Sequence, residues 1–378
     1  MSELRSALGL ARWLGPWAGD AIPLGVSRSV VSLSAGERAT RAYVYEPPSA
    51  ARGVYVVAQG LHYEGPADAR LDRFLRVLAQ AGFVTVAPFL RDFNDLLIAP
   101  TTADDLAMGV AHGVALARAR GLPAPALFSV SFGSRPAIEV AASPAGDDLG
   151  ALVLFGGYCD FDETVRFCVT GRTAGGAGTP LPHDPLNAPV VHLNLMRRAG
   201  PALFDARVDT ARIERAYREM VYRTWGRPGL KRGDARAPIA RDVARDLASA
   251  ERTIFMQACG LEPGGDALLE RGLEACADAF AWADPRALLS RVRPPVVIVH
   301  GRDDDVIPVT QAERLEAALP PSHPRARILT GVYGHTGAAV PGPSAALREI
   351  AAMVRVTREI ARAPRRAATA RGAATPRG

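Results

Sequence analysis

Between residues 27 and 158 short apolar runs alternate with helical stretches, and the runs are of two kinds. "SRSVVSLSAGERATRAYVYEP" (27–47) alternates apolar and polar positions on both sides of the turn "SAGER", the pattern of an antiparallel hairpin at a sheet edge. The later runs, "GVYVVAQG" (53–60), "GFVTVAP" (82–88), "APALFSVS" (124–131) and "GALVLFGG" (150–157), are continuously apolar, as expected of parallel strands covered on both faces by helices. The stretches between them predict helices over 67–81, 102–120 and 132–142.

Beyond Gly157 this rhythm breaks. Residues 159–290 are helical in character, as in "DTARIERAYREMVYRTW" (209–225), "IARDVARDLASAERTIFMQAC" (239–259) and "ALLERGLEACADAFAWA" (267–283), with flexible joints such as "GRTAGGAGTPLPHDP" (171–185). Strand character returns in "PPVVIVHG" (294–301) and "ARILTG" (326–331), with helices expected at 310–319 and 343–362. The expected fold class is therefore α/β, a doubly wound, mostly parallel sheet of about eight strands with a helical insertion. Its divisions are an N-terminal segment 1–26, a core 27–158 and 286–361, a helical cap 159–285, and a disordered basic tail 362–378. A block inserted between consecutive strands is expected to cover their carboxyl ends, where open α/β sheets bind ligands.

Composition adds limits. With 48% hydrophobic and 22% charged residues in a chain of 378, this is a globular protein with a large core. The net charge of +6 is not read as a nucleic-acid footprint: arginine is used throughout, Lys231 is the only lysine, and five arginines fall in the tail. No nucleic-acid partner is expected. Cys159, Cys168, Cys259 and Cys276 form no C-x-x-C pair and fit reduced thiols of a cytoplasmic protein. The opening "ALGLARWLGPWAGDAIPLG" is broken by Arg12, Pro16 and Asp20, so it is expected to pack on the core, without stable membrane insertion. His183, Asp184 and His192 match no metal-binding spacing, and "GRTAGGAGTP" lacks the lysine of a phosphate loop.

The chemistry concentrates at "SVSFG" (129–133), where a strand runs into a helix at Ser131. A turn that projects a serine from such a junction brings the residues two before and two after it together, so both must be small; Ser129 and Gly133 are. A serine hydroxyl needs a base, and the base an orienting acid. His335 lies in "GVYGHTG", directly after the last expected strand, whereas His323 precedes that strand and belongs at the wrong end. For the acid, "HGRDDDVIP" offers Asp303, Asp304 and Asp305 after strand 294–301, with Asp304 favoured; Asp160 or Asp162, after the preceding strand, is the rival.

In "SVSFG", "VHGRDDDVIP" and "YGHTG" the chain resembles the α/β-hydrolase superfamily over residues 27–158 and 286–361. The resemblance implies Ser131 as nucleophile, Asp304 as acid and His335 as base. It also implies an oxyanion hole from the backbone N–H groups of Phe132 and Leu61. The superfamily's usual His-Gly after the third strand is here Gln59-Gly60, and Gly60, His62 and Tyr63 are expected to line the substrate site. The implied activity is serine hydrolysis of an ester, thioester, lactone or amide of a small to medium apolar acyl compound. No organic cofactor or metal is called for. An acyltransferase with the same triad, or a binding protein without turnover, remains an alternative.

Overall fold

The computed structural model describes residues 2–14, 21–173, 179–203, 208–331 and 343–366. By internal packing they fall into two compact units: Met1–Cys159, Pro285–Asp303 and Val309–Gly378 form one, Asp160–Asp284 with Asp304–Pro308 the other.

The first unit contains a single eight-stranded sheet. Its strands are β1 (Ser27–Ala35), β2 (Arg38–Glu46), β3 (Gly53–Ala58), β4 (Phe83–Pro88), β5 (Ala126–Val130), β6 (Ala151–Phe155), β7 (Val296–Gly301) and β8 (Arg325–Thr330). The spatial order is β1-β2-β4-β3-β5-β6-β7-β8. As expected, β1 and β2 form an antiparallel hairpin, and β2 pairs antiparallel with β4. All other pairs are parallel. This is the doubly wound, mostly parallel sheet that the sequence predicts.

In chain order the longer helices are α1 (Ser2–Leu14), α2 (Ala69–Gln80), α3 (Thr102–Ala119), α4 (Ser134–Ala142), α5 (Phe161–Thr170), α6 (Ala188–Ala199), α7 (Thr210–Thr224), α8 (Ala237–Val243), α9 (Ser249–Ala258), α10 (Gly265–Ala275), α11 (Thr310–Ala318) and α12 (Pro343–Arg362). Helices α5 to α10 build the second unit, and no strand occurs there among the described residues. Also among them, no helix is long and apolar enough to cross a membrane.

The period of two along each strand explains the two covered faces. Tyr55, Val57, Phe128, Val153, Val297 and Val299 point to one face, where Leu75 and Leu78 of α2 and Val356 and Ile360 of α12 complete the core. On the other face Gly113 of α3 lies so close to Val56 that a Cβ would meet its methyl at 2.6 Å. β3, β4 and β7 are buried throughout, which is why their sequences show no alternation. Each large side chain in this core contributes roughly 1.5–3 kcal/mol of burial.

The ends of the chain tie into this core. Leu10 of α1 is fully buried and the Ser6 hydroxyl donates to the Ala81 carbonyl, so the N-terminal helix packs as expected. Residues 363–366, assigned from sequence to the tail, instead continue into a 3-10 turn with Ala363 fully buried. Its apolar Ala-Pro pair has a place against the sheet: Pro364 lies 3.1 Å from where a Cβ on Gly53 would stand. The tail from 367 on lies outside the described residues. All four cysteines are free and buried.

The strand order reverses at β3. The chain passes from β3 to β4 on one side, then crosses back to place β5 on the other. The carboxyl ends of β3 and β5 thus flank a topological switch point, the crevice where open α/β sheets hold ligands.

Candidate active site

Ser131 follows β5 at this switch point, and its backbone is in the left-handed region with φ of +53°. For an L-residue that conformation costs about 1–2 kcal/mol. Leu96 is the only other non-glycine with positive φ among the described residues; it is fully buried, and its N–H donates to the Phe93 carbonyl at 3.0 Å. After Ser131 the chain makes a 3-10 turn through Gly133 and enters α4.

The turn is tight because β3 lies against it. A Cβ on Gly133 would stand 2.3 Å from the Gln59 carbonyl oxygen and 3.1 Å from that of Ala58, so no side chain fits. Ser129 occupies the other small position: it is fully buried, and its hydroxyl donates to the Val153 carbonyl at 3.3 Å. A serine fits this small position because its hydroxyl finds an acceptor across the sheet.

The segment after β3 reaches the same place. A Cβ on Gly60 would lie 3.4 Å from the Ser131 Cβ. Leu61 is partly exposed, and Phe132 is buried with its ring tilted against Tyr158 at 5.3 Å. The Phe132 N–H belongs to the first turn of a helical segment, where backbone donors have no intrahelical acceptor. Gln59 is fully buried and neither of its amide atoms has a hydrogen-bond partner. Its Oε1 would sit 2.4 Å from a Cβ on Gly65, whose φ of +58° also requires glycine.

His62 stacks on Tyr63 with ring centroids 4.7 Å apart. Its Nδ1 accepts from the Glu64 N–H at 3.2 Å, which puts the proton of the neutral ring on Nε2, 3.6 Å from Asp68 Oδ2. Burial pushes the His62 pKa down, against the pull of Asp68. Asp68 in turn caps α2, accepting from the N–H groups of Arg70 and Leu71, and pairs with the Arg70 side chain. Burial opposes its ionisation, yet Arg70 and His62 hold its carboxyl below the usual range. Of this group only His62 is legible in the sequence; nothing there points to Glu64, Asp68 or Arg70. Donor atoms of His62, Glu64 and Asp68 lie within 4.8 Å of one another, but the Arg70 guanidinium on Asp68 opposes a cation there.

The three aspartates after β7 differ in their surroundings. Asp303 is exposed. Asp305 is buried and its carboxylate pairs with Lys231 at 2.9 Å. Asp304 is half-buried, and its Oδ1 accepts from the N–H groups of Val306 and Ile307, both at 2.9 Å, which fixes the carboxylate on its own turn. Asp160 caps α5, with its Oδ1 accepting from the Glu163 N–H at 3.0 Å, and Asp162 is exposed on the first turn of that helix.

His335 lies outside the described residues. The chain enters that segment from Gly331, whose N–H donates to Glu349 at 2.7 Å, at the same rim of the parallel sheet as Ser131. His323 is at the opposite rim, with its Nε2 3.0 Å from the Pro294 carbonyl ahead of β7, as its position before β8 predicted. In the second unit His183 is exposed, Asp184 pairs with Lys231, and His192 is buried, its pKa pushed down to about 4 by burial.

No protein-family model matches the chain, and no curated protein matches it in sequence. Solved structures similar to it include Pyrococcus horikoshii acylaminoacyl peptidase, at 10% identity and a TM-score of 0.41 over 83% of this chain and 37% of that one. A Mycobacterium tuberculosis puromycin-hydrolyzing peptidase is similar at 14% identity and 0.46, covering 90% of this chain and 40% of that one. The 2,6-dihydroxy-pseudo-oxynicotine hydrolase gives 14% and 0.46, over 89% and 68%. The chain thus spans well under half the length of the two peptidases.

Proposed function

We propose that the protein is a serine hydrolase in which Ser131 attacks the carbonyl of an ester, thioester, lactone or amide. The observation that carries this reading is the left-handed Ser131 at the switch point, pressed against the segment after β3. Strain of that kind persists only where the surrounding structure enforces it, and it leaves the hydroxyl projecting from the turn.

His335 takes the Ser131 proton and Asp304 orients the imidazole. Reach supports this role for His335. Four residue-to-residue steps lead to it from Gly331 and span at most about 14 Å, while three inter-strand spacings from β8 to β5 amount to about 14 Å. The N–H groups of Phe132 and Leu61 stabilise the oxyanion; removing one such donor typically costs about 3 kcal/mol. The adduct collapses as His335 returns the Ser131 proton to the departing alcohol, thiol or amine, leaving the acyl group on Ser131. A water deprotonated by His335 then attacks this acyl-enzyme and frees the acid and the Ser131 hydroxyl, and neither an organic cofactor nor a metal takes part. The helical segment 159–285 acts as a cap that selects a small to medium apolar acyl group, and Gly60, His62 and Tyr63 contribute to substrate binding.

The test is labelling with a fluorophosphonate, which reacts only with an activated serine. Wild type is expected to be labelled at a single site and Ser131→Ala not at all. A folded wild type that resists the probe would leave a binding protein as the better reading. With p-nitrophenyl esters of graded length as substrates, added alcohol diverts product to a new ester only if the protein is an acyltransferase.

A further inference from the structure

Lys231 is the only lysine in a chain with 45 lysines and arginines together. Its ammonium group sits between two carboxylates of the second unit, 2.8 Å from Asp184 Oδ2 and 2.9 Å from Asp305 Oδ2, with 18% of its side chain exposed. Asp184 and Asp305 are themselves almost fully buried. The two strands of chain are joined a second time, because the Asp184 N–H donates to the Asp305 carbonyl at 2.8 Å. A third link comes from α5, where the Cys168 thiol donates to the Val306 carbonyl at 3.1 Å. Asp184 also caps the 3-10 turn 185–187 through the Leu186 N–H at 3.0 Å, so this anchor is itself fixed. Residues 304–308 consequently pack with the helical unit, although they leave directly from strand β7.

We propose that Lys231 is a positioning residue for the acid of the triad. By bridging Asp184 to Asp305 it ties the loop that carries Asp304 to the helical unit, so that this unit sets where the acid stands. The inference rests on the reading of Asp304 as the acid. A lysine suits the place: its compact ammonium donates to both carboxylates at hydrogen-bond distance. Burial lowers the Lys231 pKa, but the two carboxylates more than offset it and hold the group charged. Removing the charge leaves two buried carboxylates facing each other, and the loop must shift to separate or hydrate them. The acid moves with it.

The experiment measures the rate constant of fluorophosphonate labelling in the full chain, with melting temperature as a check on folding. Lys231→Met is expected to slow labelling about 30-fold, the scale of a small misplacement at a reacting centre, and Lys231→Arg to recover most of the loss. In an Asp304→Asn background the same Lys231→Met change is expected to matter less than about twofold, since residues acting as one unit are not additive. If Lys231→Met does not fold, Asp305→Asn cuts the same link with almost no change of shape and is expected to give the same pattern. The proposal is overturned if the folded variant labels within about threefold of wild type. It is equally overturned if the slowing is as large in the Asp304→Asn background, which marks a general structural role. A wild type that does not label at all brings down the hydrolase reading, and this one with it. A labelled wild type with an indifferent Lys231→Met brings down this one alone.

Discussion

The turn at Ser131 and the turn at Asp304 are fixed by different forces. Around Ser131 the constraint is steric: a left-handed backbone, a glycine with a carbonyl 2.3 Å from where its Cβ would be, and strands with no exposed residue beside it. Around Asp304 it is polar: two backbone N–H groups on Oδ1, an ion-paired Asp305 next to it, and a thiol on the Val306 carbonyl. A steric site tolerates almost no change of volume but is indifferent to charge. A polar site tolerates isosteric change but responds to any loss of a donor or a charge.

On the polar side of this contrast the largest effect is at Asp304. Asparagine keeps an Oδ1 that accepts from Val306 and Ile307, so the turn and the melting temperature persist. The charge that orients and stabilises an imidazolium is lost, with a rate decrease on the order of 10⁴-fold. Stopped-flow hydrolysis of a p-nitrophenyl ester checks it, and a variant within tenfold of wild type excludes Asp304 as the acid. Next is Gly133→Ala, which forces a methyl group into the Gln59 and Ala58 carbonyls. Overpacking against backbone costs about 3 kcal/mol, read from the shift of a urea midpoint, and the displaced Ser131 is expected to lose its labelling too. An alanine at 133 that melts like wild type would show that the approach of β3 is not what shapes the turn.

Ser131→Gly has the opposite sign. Glycine adopts φ of +53° without the Cβ penalty, so this variant is expected to be about 1 kcal/mol more stable than wild type while hydrolysing nothing. Stability and chemistry move in opposite directions only where strain is stored at the reacting group. No substitution at Asp304 is expected to show that pairing, because its turn holds no left-handed residue among those described.

The same contrast explains what was legible in the sequence. The strands around Ser131 are local, continuous apolar runs bounded by turn residues, and the requirement for small residues at 129 and 133 follows from chain geometry alone. The edge hairpin could be read for the same reason, whereas the spatial order of the strands around β3 could not. The surroundings of Asp304 could not. Its neighbour Asp305 is paired with Lys231, 74 positions away, and Asp184 joins them from a third segment. Three consecutive aspartates look alike until folding makes one exposed, one capped by its own turn and one ion-paired. Nothing in the periodicity announces that residues 304–308 pack with the helices, or that Ala363 and Pro364 close the core.

Asp160 supplies the smallest effect and the sharpest control. It stands after β6 where a rival acid would be, yet its Oδ1 accepts from the Glu163 N–H as the cap of α5. Asparagine caps a helix as well as aspartate does, so Asp160→Asn is expected to change stability by no more than a few tenths of a kcal/mol. Asp160→Ala removes the acceptor and is expected to lose about 1 kcal/mol, with the labelling rate unchanged in both. The two variants separate capping from catalysis because asparagine keeps the hydrogen bond and loses the charge. If Asp160→Asn slows labelling while the melting temperature holds, the charge at 160 is catalytic, and the polar turn at Asp304 is a structural joint that merely resembles an acid site.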